Sequence, residues 1–185
     1  MRLMNTPTND TAADRLVVGL AGLAVIIHVL EMAIPSPVPG LKPGLANAIT
    51  LIVLFRYGWK MAAWVSLLRV VAGSLLIGTF LTPAFLLSLA GAIASLGALA
   101  LVRALMPLGA GPVLAGALAA VAHVGGQLTL AWLLFIPHSG LWTLAPWLMA
   151  LALPLGIFTG LVAVETLKIL ERGDRPETTT AHETD

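Results

Sequence analysis

The chain has 185 residues, of which 58% are hydrophobic and 10% charged, with a mean hydropathy of +0.96. A soluble domain carries roughly 25% charged residues, whereas from Leu16 to Thr166 this chain has only Glu31, Lys42, Arg56, Lys60, Arg69, Arg103 and Glu165, which excludes water as the main solvent of that stretch. A net charge of +1 gives no reason to expect a nucleic-acid partner, and the absence of cysteine excludes disulfides, thiolate metal sites and a cysteine nucleophile.

The first fourteen residues are polar and include Asp10 and Asp14, unlike the basic start and small-residue cleavage site of a secretory signal, so the apolar run that follows is expected to stay as a span. Breaks bearing Pro or Gly then recur at Pro35–Pro43, Arg56–Lys60, Gly78–Pro83, Arg103–Pro112 and Phe135–Gly140. They divide the chain into six predicted helices, about 15–34, 44–57, 60–79, 83–104, 112–135 and 142–170. A crossing needs about 20 apolar residues, so six nearly exhaust the length and leave no room for a soluble catalytic domain. The second, about 14 residues long, is short for a full crossing. The expected organisation is a disordered tail at 1–14, an all-α six-helix transmembrane domain at 15–172, and a disordered acidic, threonine-rich tail at 173–185.

Lys and Arg favour the cytoplasmic side of a membrane protein. With both termini cytoplasmic, that side receives Arg2, Arg15, Arg56, Lys60, Arg103, Lys168, Arg172 and Arg175, and the outside receives only Lys42. The expected location is therefore the cell's inner (cytoplasmic) membrane, crossed several times. Glu165, with Lys168 and Arg172 following at helical spacing, reads as an interfacial salt bridge.

Helices in lipid associate by close packing, which small residues permit. Helix 4 carries Ala90, Ala94 and Ala98 beside Gly91 and Ser95, and helix 5 carries Ala115 and Ala119 beside Gly116 and Ala120. Helix 1 offers Gly19 and Gly22 beside Ala21 and Ala24. Packing of the bundle on itself accounts for most such faces, and docking of a membrane partner is the other use.

Polar residues within the spans are costly and functional by default. Arg69 lies mid-way along helix 3 on the stripe Ala62, Ser66, Arg69, Gly73. His28 and Glu31 are three apart in helix 1, Asn47 and Thr50 three apart in helix 2 just after Lys42, and His123 and Gln127 four apart in helix 5. Given the orientation above, these groups converge on the outer half of the membrane. The expectation is a cavity open to the outside, ending near Arg69 and suited to a solute with a polar or anionic head. A buried Arg69–Glu31 ion pair that only locks the bundle is the competing reading.

Several chemistries are missing. No GxxxxGK run followed by Ser or Thr is present to cradle a nucleotide. Every Asp (Asp10, Asp14, Asp174, Asp185) lies in a tail, so no Asp-rich motif can hold magnesium diphosphate. His28, His123, His138 and His182 have no zinc-site spacing, and no serine has a recognisable base. No catalytic residue, metal or cofactor is expected.

The stretch PGLKPGLANAITLIVLFRYGWKMAAWVSLLRVVAGSLLIG, then FLLSLAGAIASL and AVAHVGGQL, resembles the Gx transporter family, whose older label is heptaprenyl diphosphate synthase component I. The resemblance runs from about Pro35 to Leu128, and Pro43 stands where a small or β-branched residue is expected after the lysine. That family is similar to the substrate-binding S components of energy-coupling factor (ECF) importers. The resemblance implies a six-helix subunit that captures a small solute, such as a vitamin, flavin or isoprenoid-related molecule, and works with a coupling protein and cytoplasmic ATPases. It implies that Lys42, Asn47, Arg69, His123 and Gln127 are motif positions, and that Gly19, Ala21, Gly22 and Ala24 face the coupling protein. The older label implies an alternative, a noncatalytic membrane accessory subunit in isoprenoid or quinone metabolism.

Overall fold

Hydrocarbon offers no hydrogen bonds to the backbone, so an apolar chain closes its own within helices. The computed structural model describes residues 8–33 and 45–173. They form α1 (Thr8–Ala33), α2 (Leu45–Tyr57), α3 (Trp59–Ile77), α4 (Pro83–Leu105) with a 3-10 turn at Met106–Leu108, α5 (Pro112–Leu134) and α6 (Gly140–Gly173). Four helical stretches, 59–77, 83–108, 112–134 and 140–172, are long and apolar enough to cross a membrane, and the shorter apolar stretches are Val18–Ile27 and Ala46–Tyr57.

The six helices sit where the Pro and Gly breaks place them, with one clear displacement. Helix α1 begins at Thr8, inside the expected N-terminal tail. Polarity alone suggested disorder there. Yet Asp10 suits the positive end of a helix dipole, and Ala12 and Ala13 favour helix. The segment from 174 onward lies outside the described residues.

The connections follow local chemistry. Gly58 alone links α2 to α3; its φ of 93° is the left-handed conformation that glycine adopts freely, and its N–H donates to the Val53 and Leu54 carbonyls, both at 3.1 Å. Gly78, also left-handed at φ 75°, ends α3. Pro83 and Pro112 stand in the first turns of α4 and α5, where a missing N–H is harmless.

Helix α2 touches α1, α3, α5 and α6, while α3 also packs on α1 and α4, and α4, α5 and α6 pack in succession. At 13 residues α2 is about 20 Å long, short of the roughly 30 Å hydrocarbon core. Its length is tolerated because its neighbours enclose it: Ala46, Ala48, Ile49, Leu51, Val53 and Leu54 are buried, and Ile49, Leu51, Val53 and Leu54 join the largest core cluster. The outer helices turn large apolar side chains outward instead, such as Leu76 (71% exposed) and Trp147 (73%). Such a surface suits lipid and would be an association hazard in water.

Glycine sets the closest helix approaches. A Cβ on Gly160 of α6 would lie 2.6 Å from Val113 Cα and 2.7 Å from the Pro112 carbonyl oxygen of α5; one on Gly156 would lie 2.6 Å from Ala120 Cβ. Gly156 and Gly160 form a GxxxG pair against Gly116 of α5. A Cβ on Gly126 of α5 would meet Ala94 Cβ at 2.6 Å and the Ala90 carbonyl oxygen at 2.7 Å in α4, using the small face expected on that helix. In α1 the expected docking set divides. Ala24 is fully buried and Ala21 nearly so, spent on the chain's own packing, whereas Gly19 and Gly22 have nothing within 4 Å of a notional Cβ. The reason is helical geometry: Gly19 and Gly22, three apart, share the open face of α1, whereas Ala21 and Ala24, also three apart, share the face turned to the bundle.

The antiparallel course brings cations to one end. An Arg103 guanidinium nitrogen lies 3.1 Å from where a Gly58 Cβ would be, placing the C-terminal end of α4 beside the α2–α3 turn with Arg56 and Lys60. Lys168 bonds Glu165 at 2.8 Å, the expected salt bridge, with both side chains exposed and the pair worth little stability. The opposite end carries the ring pairs Phe80–Phe85, with centroids 4.9 Å apart, and Trp132–Trp142 at 6.2 Å. With Tyr57, Trp59 and Trp64 near the cationic end, aromatic residues mark both ends, as at membrane–water interfaces.

The packing makes a paired prediction for thermal unfolding in detergent. Gly160→Ala, with no space for its methyl, should lose about 1–3 kcal/mol, a fall in Tm of several degrees. Gly97→Ala, where nothing lies within 4 Å, should leave Tm unchanged or raise it; equal losses at the two positions would contradict close packing of α5 on α6.

Candidate functional site

Polar residues on the inward faces of α2, α3 and α4 meet beside the first half of α2 and the middle turns of α3 and α4. A cavity of about 20 Å³ is lined there by Asn47, Thr50 and Leu51 of α2, Ser66 and Arg69 of α3, Ala92, Ser95, Leu96 and Leu99 of α4, and Ala119 of α5. Each polar group arrives by helical spacing: Asn47 and Thr50 are three apart, as are Ser66 and Arg69, so each pair shares a face. Ala92, Ser95 and Ala119 are small, which lets α4 and α5 come close without filling the space beside Arg69.

Arg69 is 6% exposed, Ser66 3% and Thr50 4%. The guanidinium therefore lies inside the bundle, clear of lipid, and it has an interaction partner within the protein. Thr50 is different. Its hydroxyl oxygen is buried with no hydrogen-bond partner among the described residues. Leaving a buried hydroxyl unpaired costs about 1–3 kcal/mol, so its place on the cavity wall is the chemically informative feature of the site.

His123 stands behind this wall rather than on it. Ser95 Oγ donates to the Ala119 carbonyl oxygen at 2.8 Å and contacts His123 Nδ1 at 3.3 Å. The ring packs over Gly91, where a Cβ would lie 2.6 Å from Nε2. His123 thus ties α4 to α5 and supports Ser95, which lines the cavity.

The sequence-derived set is brought together in part. Asn47 and Arg69 share the cavity; His123 reaches it through Ser95; Gln127, one turn further along α5, is half-buried and does not line it. Lys42 and the side chains of His28 and Glu31 lie outside the described residues. Thr50, already paired with Asn47 in the sequence, and Ser66, on the Arg69 stripe, stand on the wall; Ser95 enters as a wall group that the sequence reading did not place in the site. Ser95 looked like one more small packing residue, because its α5 partners come from a distant segment.

Size differs from expectation. The lining runs from Asn47 in the first turn of α2 to Arg69 midway along α3, the residue near which the sequence places the end of the cavity. The volume is close to that of one water molecule. Close approach of α4 and α5 at Gly126 and Gly91 narrows the space, and Leu51, Leu96 and Leu99 fill its apolar side. Among the described residues no group of three or more His, Asp or Glu side chains could hold a metal ion.

A family model described as heptaprenyl diphosphate synthase component I matches residues 20–166, which takes in the whole cavity wall. No curated protein and no solved structure gives a significant match. With well over half of its length matched, this multi-helix membrane chain belongs to the heptaprenyl diphosphate synthase component I family.

Proposed function

We propose that the chain is the solute-binding membrane subunit of an ECF-type importer in the inner membrane, with both termini cytoplasmic. One observation carries the reading: a buried arginine and an unpartnered threonine hydroxyl share a mid-bundle cavity with Asn47, Ser66 and Ser95. Intramembrane polar groups are expensive, and a bundle that needed only cohesion already has its glycine contacts. The captured solute is small and organic with a polar or anionic head, taken from the outer side, and Arg69 and Asn47 contact that head. Ligand pockets run to roughly 300–1,000 Å³, so capture requires α2 and α3 to part from α4 and α5 around the present cavity of about 20 Å³. His123 and Gln127 join the site in that opened arrangement, as do Lys42, His28 and Glu31.

The chain has no nucleotide-binding run, so the energy comes from partner ATPases through a coupling protein. Gly19 and Gly22, open on the surface of α1, are the docking positions on this chain. The family's description favours a second reading, a noncatalytic membrane partner of a prenyl diphosphate synthase. It too assigns the chain no chemistry, consistent with every Asp lying outside the predicted spans.

Native mass spectrometry of the purified chain tests the first reading. Wild type should retain a small molecule, and Arg69→Ala should weaken its binding by about 30-fold or more, about 2 kcal/mol, while the bundle still folds. Arg69→Lys should not restore it, because a point charge does not replace a planar fork of donors. Loss of thermal stability with no separate binding defect would instead make Arg69 a structural lock. Coexpression pulldown should recover coupling and ATPase subunits; recovery of a prenyl synthase subunit alone would favour the second reading.

A further inference from the structure

Threonine hydroxyls inside helices ordinarily bond a carbonyl of the preceding turn. Five in this chain donate to a nearby carbonyl: Thr82 to Thr79 at 2.6 Å, Thr129 to Gly125 at 2.7 Å, Thr143 to Gly140 at 2.7 Å, Thr159 to Gly156 at 2.9 Å and Thr166 to Val162 at 2.8 Å. Thr50 has a preceding turn of α2 behind it and makes no such bond, although it is 96% buried. Thr50 is one of the residues that line the cavity of about 20 Å³. A space that holds a water needs roughly 10–15 Å³ and two or more polar partners. Here the neighbouring wall groups are the Asn47 amide, the Ser66 and Ser95 hydroxyls and the Arg69 guanidinium.

We propose that this cavity is a binding site for a single neutral oxygen, a water molecule held by Thr50 Oγ1 and the polar groups of α2 and α3. Size selects one oxygen, because a carboxylate or phosphate brings several. Chemistry selects a neutral one, because Asn47, Ser66 and Ser95 among the lining residues each offer an acceptor as well as a donor, which a water can use and an anion cannot. Ser95 is a weaker partner, its proton being directed at Ala119. The inference concerns the protein without solute and stands whether or not the importer reading does. If that reading holds, the site is also where a hydroxyl or carbonyl oxygen of the solute displaces the water.

The test uses the full chain in detergent without added solute. Thr50→Val keeps the shape and removes the hydroxyl, and Thr50→Ser keeps the hydroxyl. With a water held there, Thr50→Val should lower Tm by about 2–4 °C or more, and Thr50→Ser should retain more of the wild-type Tm. A structure from bromide-containing solution should show a water-like peak within hydrogen-bond distance of Thr50 Oγ1 and no bromide signal. A Thr50→Val protein as stable as wild type, or more so, would overturn the proposal, because an unsatisfied hydroxyl is a burden when nothing meets it. Bromide in the cavity would overturn it in favour of an anion site. Failure of the Arg69 binding test would leave these outcomes unaffected.

Discussion

Hydrocarbon returns nothing to a polar group that leaves water, and the architecture follows from that constraint. Backbone groups are met within helices, and Thr129, Thr143, Thr159 and Thr166 turn their hydroxyls back onto their own helices. Helix α2, too short to span alone, is wrapped by four neighbours. Against that background the groups that do not turn back gain meaning. Arg69 is placed at the middle of the bundle at considerable cost, and Thr50 presents an unpaired hydroxyl beside it.

Two packing regimes meet at this point. On one side, Gly116, Gly156 and Gly160 bring α5 against α6 until backbone touches backbone, and Gly126 does the same between α5 and α4. On the other, the larger residues of α2 and α3 cannot close so tightly, because Asn47, Ser66 and Arg69 occupy their inward faces. The cavity is the seam between a glycine-packed pair of helices and a polar-faced pair. Such a seam is a natural place for helices to part, since its groups gain water when it opens while the glycine contacts of α5 and α6 lose much if broken.

Much of this was legible in the sequence because lipid imposes simple rules. Pro and Gly at the breaks marked six helices, and the rarity of charge between Leu16 and Thr166 marked the solvent. The start of α1 was less legible, since Thr8 to Asp14 serve equally as a polar tail or as a first helical turn. The shared position of Asn47 and Arg69 could be anticipated from depth along each helix. Which helix faces which could not: His123 belongs behind Ser95 because Gly91 leaves room for its ring, a contact between segments 28 to 32 residues apart. Ala21 and Ala24 looked equivalent to Gly19 and Gly22 as small residues, and only tertiary packing separates those that face inward.

The central claim is that the polar seam communicates with the outer side of the membrane. The chain has no cysteine, so a single introduced thiol reports without background. Ser66→Cys is nearly isosteric and places that thiol on the cavity wall at a position 3% exposed. In intact cells a small membrane-impermeant thiol reagent added outside should label it slowly, while the same reagent confined to the cytoplasmic face should not. Labelling from the cytoplasmic face alone, or none from outside while Ser139→Cys in the α5–α6 turn reacts readily, would contradict an outward-opening solute site.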